Sequence, residues 1–247
     1  MRLDATTIVF GDIHGEEKWE DIVTKHPDAQ YIFLGDYCDP YLSEYTPLRT
    51  VNNLKKIISL KKERPDDVIL LLGNHDTHYI YPQSGICSRF MIDAVVEIQT
   101  TLKENIELFC NAFTMGRLLF THAGVSEEWL NYARLLNDEN LVPNLNSPEI
   151  CPEIFDCGAA RGGSKPYSGI FWSDISEMNN PLKGYVQIVG HTRIEQIKIL
   201  MTDDNTAVIF CDSLWNNNYL IIEGAQEGST IKKASLLTNI SESIYTL

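Results

Sequence analysis

Residues 8–15 read IVFGDIHG, an apolar run that ends directly in a glycine and two potential metal ligands. Four later segments follow the same pattern, with Asp, Asn or His placed after a run of apolar residues. They read GDYCD at 35–39, GNHD at 73–76, THAG at 121–124 and GHT at 190–192. Carboxylate, amide and imidazole groups at the ends of several strands are what a site for two divalent metal ions requires. The order of the five segments therefore predicts one composite metal site.

Composition bounds the class of protein. The chain has 247 residues, 44% of them hydrophobic and 22% charged, which are ordinary values for a globular domain. We therefore expect a single domain over residues 1–247. The net charge of −14 argues against a surface that binds a nucleic-acid polymer or an anionic membrane. These numbers leave the oligomeric state open.

The N-terminus and the cysteines indicate a compartment. No apolar run approaches the length of a membrane span, and the first residues, MRLDATTIVF, lead into a strand instead of a signal peptide. The six cysteines are scattered without a CxxC pair, so free thiols are the simplest expectation. These features predict a cytoplasmic protein.

Short apolar runs rich in Ile, Val, Leu and Phe predict strands that are buried on both faces. The runs are Thr7–Phe10, Tyr31–Leu34, Val68–Leu72, Leu118–Thr121, Val186–Val189, Ile197–Met201, Ala207–Cys211 and Tyr219–Ile222. Strands alternate with helical patterns in the first half and follow one another closely in the last third. This arrangement predicts an α/β fold of two sheets packed face to face, with helices outside and hairpins near the C-terminus.

Helical patterns lie between the early strands. One begins at an N-cap, Thr46, followed by Pro47, and another begins at Ser126 with acidic residues in its first turn. The apolar stripes are Leu48, Val51, Leu54, Ile57 and Ile58 in one helix, and Phe90, Met91, Ala94, Val95, Ile98 and Leu102 in the next. The irregular stretch from about 137 to 170 contains several Pro and Gly residues and is predicted to be a flap.

The first two segments offer carboxylates and one imidazole. Asp12 and His14 are two residues apart after a strand end, so both can converge on one ion. Asp36 follows the second strand, and its two carboxylate oxygens allow it to bridge two ions. Each segment alone also fits an ordinary β-turn.

The later segments offer an amide and two more imidazoles. Asn74 follows a third strand, and His122 and His191 follow two others. Imidazole suits ions such as Mn, Fe or Zn. Each histidine alone would more simply be a hydrogen-bonded core residue. That interpretation does not explain why five strands each end in a ligand type.

His75, beside Asn74, is a candidate general acid that protonates a leaving oxygen. It needs a carboxylate to orient it, for which Asp39 is the better candidate and Asp76 the alternative.

An anionic substrate needs cations to bind it. Four basic residues lie near the site segments or in the predicted flap: Arg89, Arg161, Lys165 and Arg193. Arg89 and Arg161 are favoured as phosphate contacts. Arg161 lies in the glycine-rich run ARGG, which could present it over the metals.

The order of the five segments resembles that of the calcineurin-like metallophosphoesterase superfamily, and most closely its serine/threonine protein phosphatase branch. Two further similarities support this branch. THAGVSEEWL, starting at residue 121, resembles the histidine-containing loop of the branch, and FWSDI, at 171–175, resembles the Trp-Ser-Asp segment that follows it. The resemblance implies a four-layer α/β/β/α sandwich of two mixed sheets.

The resemblance also implies a role for each motif residue. The implied roles are Asp12 and His14 as ligands of the first metal, Asp36 as the bridging carboxylate, Asn74, His122 and His191 as ligands of the second metal, and His75 with Asp39 as the general acid and its partner. The implied cofactors are two divalent ions, with Mn favoured and Fe, Zn or Ni as alternatives.

The implied reaction is hydrolysis of a phosphomonoester of the serine/threonine protein phosphatase type, with a hydroxide between the two ions attacking phosphorus in line. The implied partner is a phosphorylated substrate, either a phosphoprotein or, for the alternative function below, a nucleotide. The chain departs from the branch at Asp39-Pro40-Tyr41, where the branch has Asp-Arg-Gly. One phosphate-binding arginine is therefore missing.

Two other functions compete with a protein phosphatase. A dinucleoside-tetraphosphate hydrolase is the alternative, because CDSLWNNNYLIIEG, residues 211–224, is similar to the C-terminal strands of those enzymes. A metal-free, protein-binding scaffold of the same fold is the least favoured, because no metal ligand is visibly lost.

Overall fold

The computed structural model describes residues 1–203, 205–238 and 241–247 and shows two sheets with helices on their outer faces. The strands are β1 Thr6–Phe10, β2 Gln30–Phe33, β3 Val68–Leu71, β4 Phe109–Cys110, β5 Ala112–Met115, β6 Leu118–Thr121, β7 Val186–Val189, β8 Lys198–Asp203, β9 Thr206–Phe210, β10 Asn218–Glu223, β11 Thr230–Ser235 and β12 Ser241–Thr246. The α-helices are α1 Lys18–Lys25, α2 Pro47–Glu63, α3 Asn74–Ile80, α4 Val95–Lys103, α5 Glu127–Tyr132 and α6 Leu141–Leu145. Short 3-10 helices include Ile92–Ala94, Pro152–Phe155, Ala159–Arg161 and Leu214–Asn216.

Both sheets are mixed. The first has the strand order β12-β11-β10-β1-β2-β3-β4, in which β1 to β4 run parallel and β10, β11 and β12 form antiparallel pairs. The second has the order β5-β6-β7-β9-β8, with β6, β7 and β9 parallel and an antiparallel strand at each edge. The predicted C-terminal hairpins are therefore confirmed.

Successive side chains of β1 point to opposite faces of the first sheet and so belong to two different layers of the core. Ile8 and Phe10 pack against Trp19 of α1 on the outer face of the first sheet. Val9 points the other way and packs with Phe120 of β6 between the two sheets. Because successive strand residues face opposite sides, a strand between two layers must be apolar throughout. The predicted α/β fold of two mixed sheets is confirmed.

The helices start at the predicted caps. The predicted apolar stripes match the observed helices only in part. The Thr46 side chain accepts a hydrogen bond from the Arg49 amide, and the Ser126 side chain accepts one from the Trp129 amide. Leu48, predicted on the buried stripe of α2, lies in the first turn of the helix and is 66% exposed. The second stripe is also split, since residues 92–94 form a 3-10 turn and α4 starts only after it.

The stretch from about 137 to 170, predicted as an irregular flap, is partly ordered and contains α6 and two 3-10 helices. Leu145, Ile154 and Phe155 are buried in one cluster with Trp129 of α5. Much of the segment thus belongs to the layer that covers the second sheet. The assignment of residues 1–247 to a single domain stays a prediction.

All six cysteines are free thiols, as predicted. Within the described part of the chain, no helix has both the length and the apolar character needed to cross a bilayer. The cytoplasmic location stays a prediction.

Candidate metal centre

The carboxyl ends of β1, β2 and β3 in the first sheet meet those of β6 and β7 in the second, and a polar side chain follows each strand. The structure brings together all six of the residues predicted as metal ligands, which are Asp12, His14, Asp36, Asn74, His122 and His191. All but His191 are buried.

The first group contains Asp12, His14 and Asp36. Nδ1 of His14 donates a hydrogen bond to the backbone oxygen of Cys38 at 2.8 Å, so the lone pair of His14 lies on Nε2. That Nε2 is 3.8 Å from Oδ2 of Asp12 and 3.4 Å from Oδ2 of Asp36. The three ligand atoms therefore face one another.

The second group contains Asn74, His122 and His191, together with Asp36. Nδ1 of His122 donates to the backbone oxygen of Leu34 at 2.8 Å, which leaves the Nε2 lone pair facing Oδ1 of Asn74 at 2.9 Å. Nδ1 of His191 is 3.0 Å from the same Asn74 oxygen. Nε2 of His122 also lies 3.5 Å from Oδ2 of Asp36. One oxygen of Asp36 is thus common to both groups.

These contacts fit divalent cations. A lone pair of His122 faces an acceptor oxygen of Asn74, and a lone pair of His14 faces a carboxylate oxygen of Asp36, with no proton between them. Atoms that ligate one ion at about 2.1 Å lie about 3.0–3.4 Å apart in octahedral or tetrahedral geometry. The observed separations of 2.9–3.5 Å around Asn74 and Asp36 match that range.

The electrostatics of the cluster agree with a bound cation. Burial lowers the pKa of His122 to about 3 and lowers the pKa of His14 and His191 well below the ordinary value, so these rings are neutral and can ligate. Burial also raises the pKa of Asp12 and Asp36, and the negative charges of Asp212 and Asp76, respectively, raise these pKa values further. Positive charge would stabilise such a crowd of buried carboxylates. The neutral imidazoles cannot provide it.

Asp36 is fixed by its second oxygen. Oδ1 accepts the backbone N–H of His75 at 2.8 Å, which leaves Oδ2 for the shared position. A Cβ at Gly73 would lie 2.1 Å from this Oδ1, so only glycine fits there. The contacts of Oδ1 therefore hold the side chain of Asp36 in one orientation, and this orientation fixes the position of Oδ2.

The backbone at the site is in an unusual conformation. The non-glycine residues of the site with positive φ are His14, Asp36, Asp39, Arg89 and His191, with φ between 41° and 60°. Residues with a Cβ rarely adopt this left-handed region, and each such residue costs free energy that the surrounding contacts must offset. Strain of this kind is concentrated at functional sites.

His75 pairs with Asp39, the better of its two predicted partners. Nδ1 of His75 lies 2.7 Å from Oδ2 of Asp39. Nε2 of His78 lies 2.9 Å from the same oxygen, and the hydroxyl of Tyr79 donates to Oδ1. Burial raises the pKa of Asp39, but these hydrogen bonds outweigh it and hold the pKa below its ordinary value. His78 was not anticipated from the sequence.

Asp76, the alternative partner of His75, has another position. Its carboxylate accepts the backbone N–H groups of Asp36, Tyr37 and Gly73 at 2.7, 2.9 and 2.8 Å. Asp76 therefore ties the loop after β2 to the loop after β3.

The two favoured arginines both lie at the site. Nη2 of Arg89 is 3.3 Å from Nε2 of His75, and its Nε donates to the backbone oxygen of Asp39 at 3.1 Å. Nη2 of Arg161 donates to Oγ1 of Thr192, next to His191, and its Nε lies 2.9 Å from Oδ2 of Asp174. The structure thus puts one arginine on each side of the ligand cluster.

Lys165 lies elsewhere. Its ammonium is half exposed and pairs with Asp156 at 3.1 Å, within the partly ordered stretch that covers the second sheet. It contacts none of the predicted ligands.

Two further residues at the site were missed. Asp212 follows β9 beside Asp12, is 3% exposed, and has an Oδ2 without a hydrogen-bond partner in the described residues. Burial raises its pKa to about 7. Cys87 contacts the amide of Asn74 at 3.3 Å. The only signal for Asp212 was its position after an apolar run, and Cys87 had none.

The sequence matches a family of known proteins. The family model described as calcineurin-like phosphoesterase matches residues 5–214. The chain belongs to the calcineurin-like phosphoesterase family. The prediction of a metal-dependent phosphoesterase is thereby confirmed, and family membership implies divalent ions, although it does not identify the metal.

Two proteins that resemble this phosphoesterase are named as serine/threonine phosphatases. It is 25% identical over 221 residues to serine/threonine-protein phosphatase C23G10.1 of Caenorhabditis elegans, a match that covers 82% of this chain and 42% of that protein. The chain thus spans less than half the length of that relative. The fold is shared with a Saccharomyces cerevisiae protein serine/threonine phosphatase similar to human PP5, with a TM-score of 0.52, 15% identity, and coverage of 99% of this chain and 81% of that one. The predicted resemblance to the serine/threonine phosphatase branch is confirmed.

Proposed function

We propose that this phosphoesterase hydrolyses phosphomonoesters in the manner of a serine/threonine protein phosphatase and uses two divalent ions. The proposed ligands are Asp12, His14, Asp36, Asn74, His122 and His191. The observation that carries the proposal is the position of Oδ2 of Asp36, which faces Nε2 of His14 at 3.4 Å and Nε2 of His122 at 3.5 Å. A single oxygen common to two ligand groups would allow one carboxylate to contribute to both of two adjacent ions.

Two divalent ions, when bound, would supply an acidified water as the nucleophile and would neutralise charge on the phosphate. The proposed ions are Mn²⁺ first, with Fe, Zn or Ni as alternatives. The chain's own residues supply the remaining steps.

His75 is the proposed general acid. With Nδ1 directed to Asp39, a transferable proton would be carried on Nε2, which lies 3.3 Å from Nη2 of Arg89. Asp39 keeps the ring in this orientation and stabilises its protonated form. Leaving alkoxides are strongly basic, so this proton transfer matters most for serine and threonine esters.

Arg89 and Arg161 are the proposed phosphate contacts. Nη2 of Arg89 shares the space in front of His75, so an ester oxygen placed there would be within reach of both groups. Arg161 approaches from the His191 side. Together they would take over the role of the arginine that Pro40 replaces, since guanidinium groups bind phosphate in a bidentate way.

Dinucleoside-tetraphosphate hydrolysis stays the alternative because of one observation. A cavity of about 360 Å³ with aromatic walls, among them Tyr41 and Trp215, lies beside the ligand cluster. Such a cavity is of the size that small molecules occupy.

The test is turnover by the purified chain after metal removal and reloading with Mn²⁺. The substrates are p-nitrophenyl phosphate, a phosphothreonine peptide and a dinucleoside tetraphosphate, and Asp36→Asn is the inactive control. We expect turnover that depends on metal, is lost in the variant and is fastest on the phosphothreonine peptide. Preference for the dinucleoside tetraphosphate would favour the alternative. Absence of bound metal after reloading would refute the proposal.

A further inference from the structure

The cavity beside the metal centre has a wall to which the proposed reaction assigns no role. Asp12 and His14 of the first ligand group line it, as do Tyr41, Arg193 and Trp215. The lining also includes the carboxylates of Glu16, Glu44 and Asp212. We call this volume the Arg193 pocket. Because two proposed metal ligands line it, a substrate bound at the metal centre could extend into it.

Tyr41 stands between two arginines. The Cζ atom of Arg89 lies 3.8 Å from the centre of the Tyr41 ring, and that of Arg193 lies 4.1 Å from it. The edge of the same ring contacts His14, with ring centres 4.9 Å apart. Contacts of guanidinium with an aromatic face are attractive. The Tyr41 ring therefore separates Arg89, which is near the proposed position of the scissile phosphate, from Arg193 in the pocket.

Arg193 stacks on a second ring, and its charge also offsets that of the buried carboxylate of Asp212, which lines the same pocket. Its Cζ also lies 4.3 Å from the ring of Trp215, whose Nε1 donates to the backbone oxygen of Ile194 and whose carbonyl accepts from Lys18 at 2.7 Å. Trp215 is thus a fixed platform. Across the described ranges, no hydrogen-bond or ion-pair partner contacts the N–H groups of Arg193, in contrast to Arg89 and Arg161.

The other basic residue of the pocket wall is not free. Lys18 pairs with Glu16 at 3.0 Å, and Glu16 also accepts the hydroxyl of Tyr45. Among the described residues of this wall, Arg193 is then the cation whose N–H groups have no hydrogen-bond partner. A planar guanidinium with unused N–H groups and a fixed orientation is suited to bind a carboxylate or phosphate.

We propose that the Arg193 pocket binds a second anionic group of the substrate, a carboxylate or a further phosphate, while the scissile phosphate lies at the metal centre. The inference rests on the proposed function and narrows its substrate class. The two sources share one chemistry, an oxyanion that Arg193 can hold by two hydrogen bonds. They are an acidic side chain next to the phosphorylated residue of a peptide, and a second phosphate on a nucleotide.

The test compares substrates that differ only in the second anion. One pair is a phosphothreonine pentapeptide with Gln or with Glu beside the phosphothreonine, made in both positions. The other pair is adenosine 5′-monophosphate and adenosine 3′,5′-bisphosphate. The Mn²⁺-loaded wild type should have a KM about fivefold lower for the doubly anionic member of at least one pair, since an exposed charged hydrogen bond contributes modestly. The pair that responds identifies the source.

Three variants make the comparison specific. Arg193→Gln should raise the KM of the doubly anionic substrate at least fivefold more than that of its partner, with kcat less affected. Arg193→Lys should recover part of the difference, because lysine keeps the charge and loses the planar fork. Arg2→Gln removes an exposed arginine that pairs with Asp67 and should change neither substrate. Equal effects of Arg193→Gln on both members of each pair, or no effect on either, overturn the proposal.

A binding measurement separates this inference from the proposed function. The ligands are non-hydrolysable phosphonate analogues of the Gln and Glu peptides and of the two adenosine phosphates. Each is titrated calorimetrically into the Mn²⁺-loaded wild type and into the Mn²⁺-loaded Arg193→Gln variant. Tighter binding of a doubly anionic ligand that Arg193→Gln abolishes supports the pocket even when no substrate is turned over. Equal affinity of the wild type for both members of every pair overturns it, whatever the catalytic result.

Discussion

The thiol of Cys87 and the amide of Asn74 hold each other through two hydrogen bonds. Nδ2 of Asn74 donates to Sγ of Cys87 at 3.3 Å, and the thiol donates to the backbone oxygen of Asn74 at 3.3 Å. The backbone N–H of Cys87 donates in turn to Nδ1 of His78 at 3.0 Å. Because Nδ2 is engaged by sulfur, Oδ1 of Asn74 is the atom that faces His122 and His191. Cys87 therefore orients a proposed metal ligand without contacting the metal.

Replacing Cys87 tests this orientation. Cys87→Ala removes the partner of the Asn74 amide, so we expect the affinity for the more weakly bound Mn²⁺ to fall about tenfold, as is typical when a residue behind a ligand is lost. Cys87→Ser keeps a group that can accept and donate and should retain most of the affinity. Equilibrium dialysis with Mn²⁺ measures both. Cys110→Ala, which removes a thiol that donates to the backbone oxygen of Leu70, serves as the control.

Asp39→Asn tests the general acid. An amide cannot stabilise protonated His75 as a carboxylate does, so proton donation to the leaving oxygen should weaken. We expect kcat to fall about 100-fold for a phosphothreonine peptide, the scale of general acid catalysis. The loss should be at least tenfold smaller for p-nitrophenyl phosphate, because nitrophenolate leaves without a proton. Equal losses on the two substrates would contradict the role of His75 as the acid.

Asp76→Asn should affect stability more than chemistry. Its carboxylate accepts three backbone N–H groups, and an asparagine can direct only its oxygen to them while its NH₂ group faces donors. Leaving one or two buried N–H groups unpaired costs about 2 kcal/mol of unfolding free energy. Urea denaturation in EDTA isolates this effect from metal binding. Asp93→Asn, at an exposed position, should change the midpoint little.

The sequence could predict the ligand cluster because the fold leaves few alternatives. Residues that follow parallel strands meet at one edge of a sheet, so Asp12, Asp36 and Asn74 had to lie close together once β1, β2 and β3 were recognised. The apolar runs identified those strands because burial on both faces leaves no room for polar alternation.

The residues that were not predicted depend on contacts without a local pattern. β11 and β12 read TIKKAS and SESIYT, in which polar residues outnumber apolar ones, and they are the last two strands at one end of the first sheet. The roles of Asp76 and Cys87 depend on which backbone group or side chain they meet across the loops. No spacing along the chain encodes these partners.

Asp36→Asn provides the most direct test of the shared oxygen, because its effect on stability should change sign with metal. Without metal, Asp36 is a buried carboxylate near other buried acids, and burial followed by Asp76 raises its pKa. Asparagine keeps an Oδ1 for the His75 N–H and removes the charge, so the metal-free variant should melt a few degrees higher than the metal-free wild type. With saturating Mn²⁺ the order should reverse, since only the wild type gains stability by binding both ions. Differential scanning calorimetry with and without EDTA, together with metal analysis, measures both signs, and Asp21→Asn at an exposed position is the control. A variant that still binds two ions per chain would show that Oδ2 of Asp36 does not join the two ligand groups.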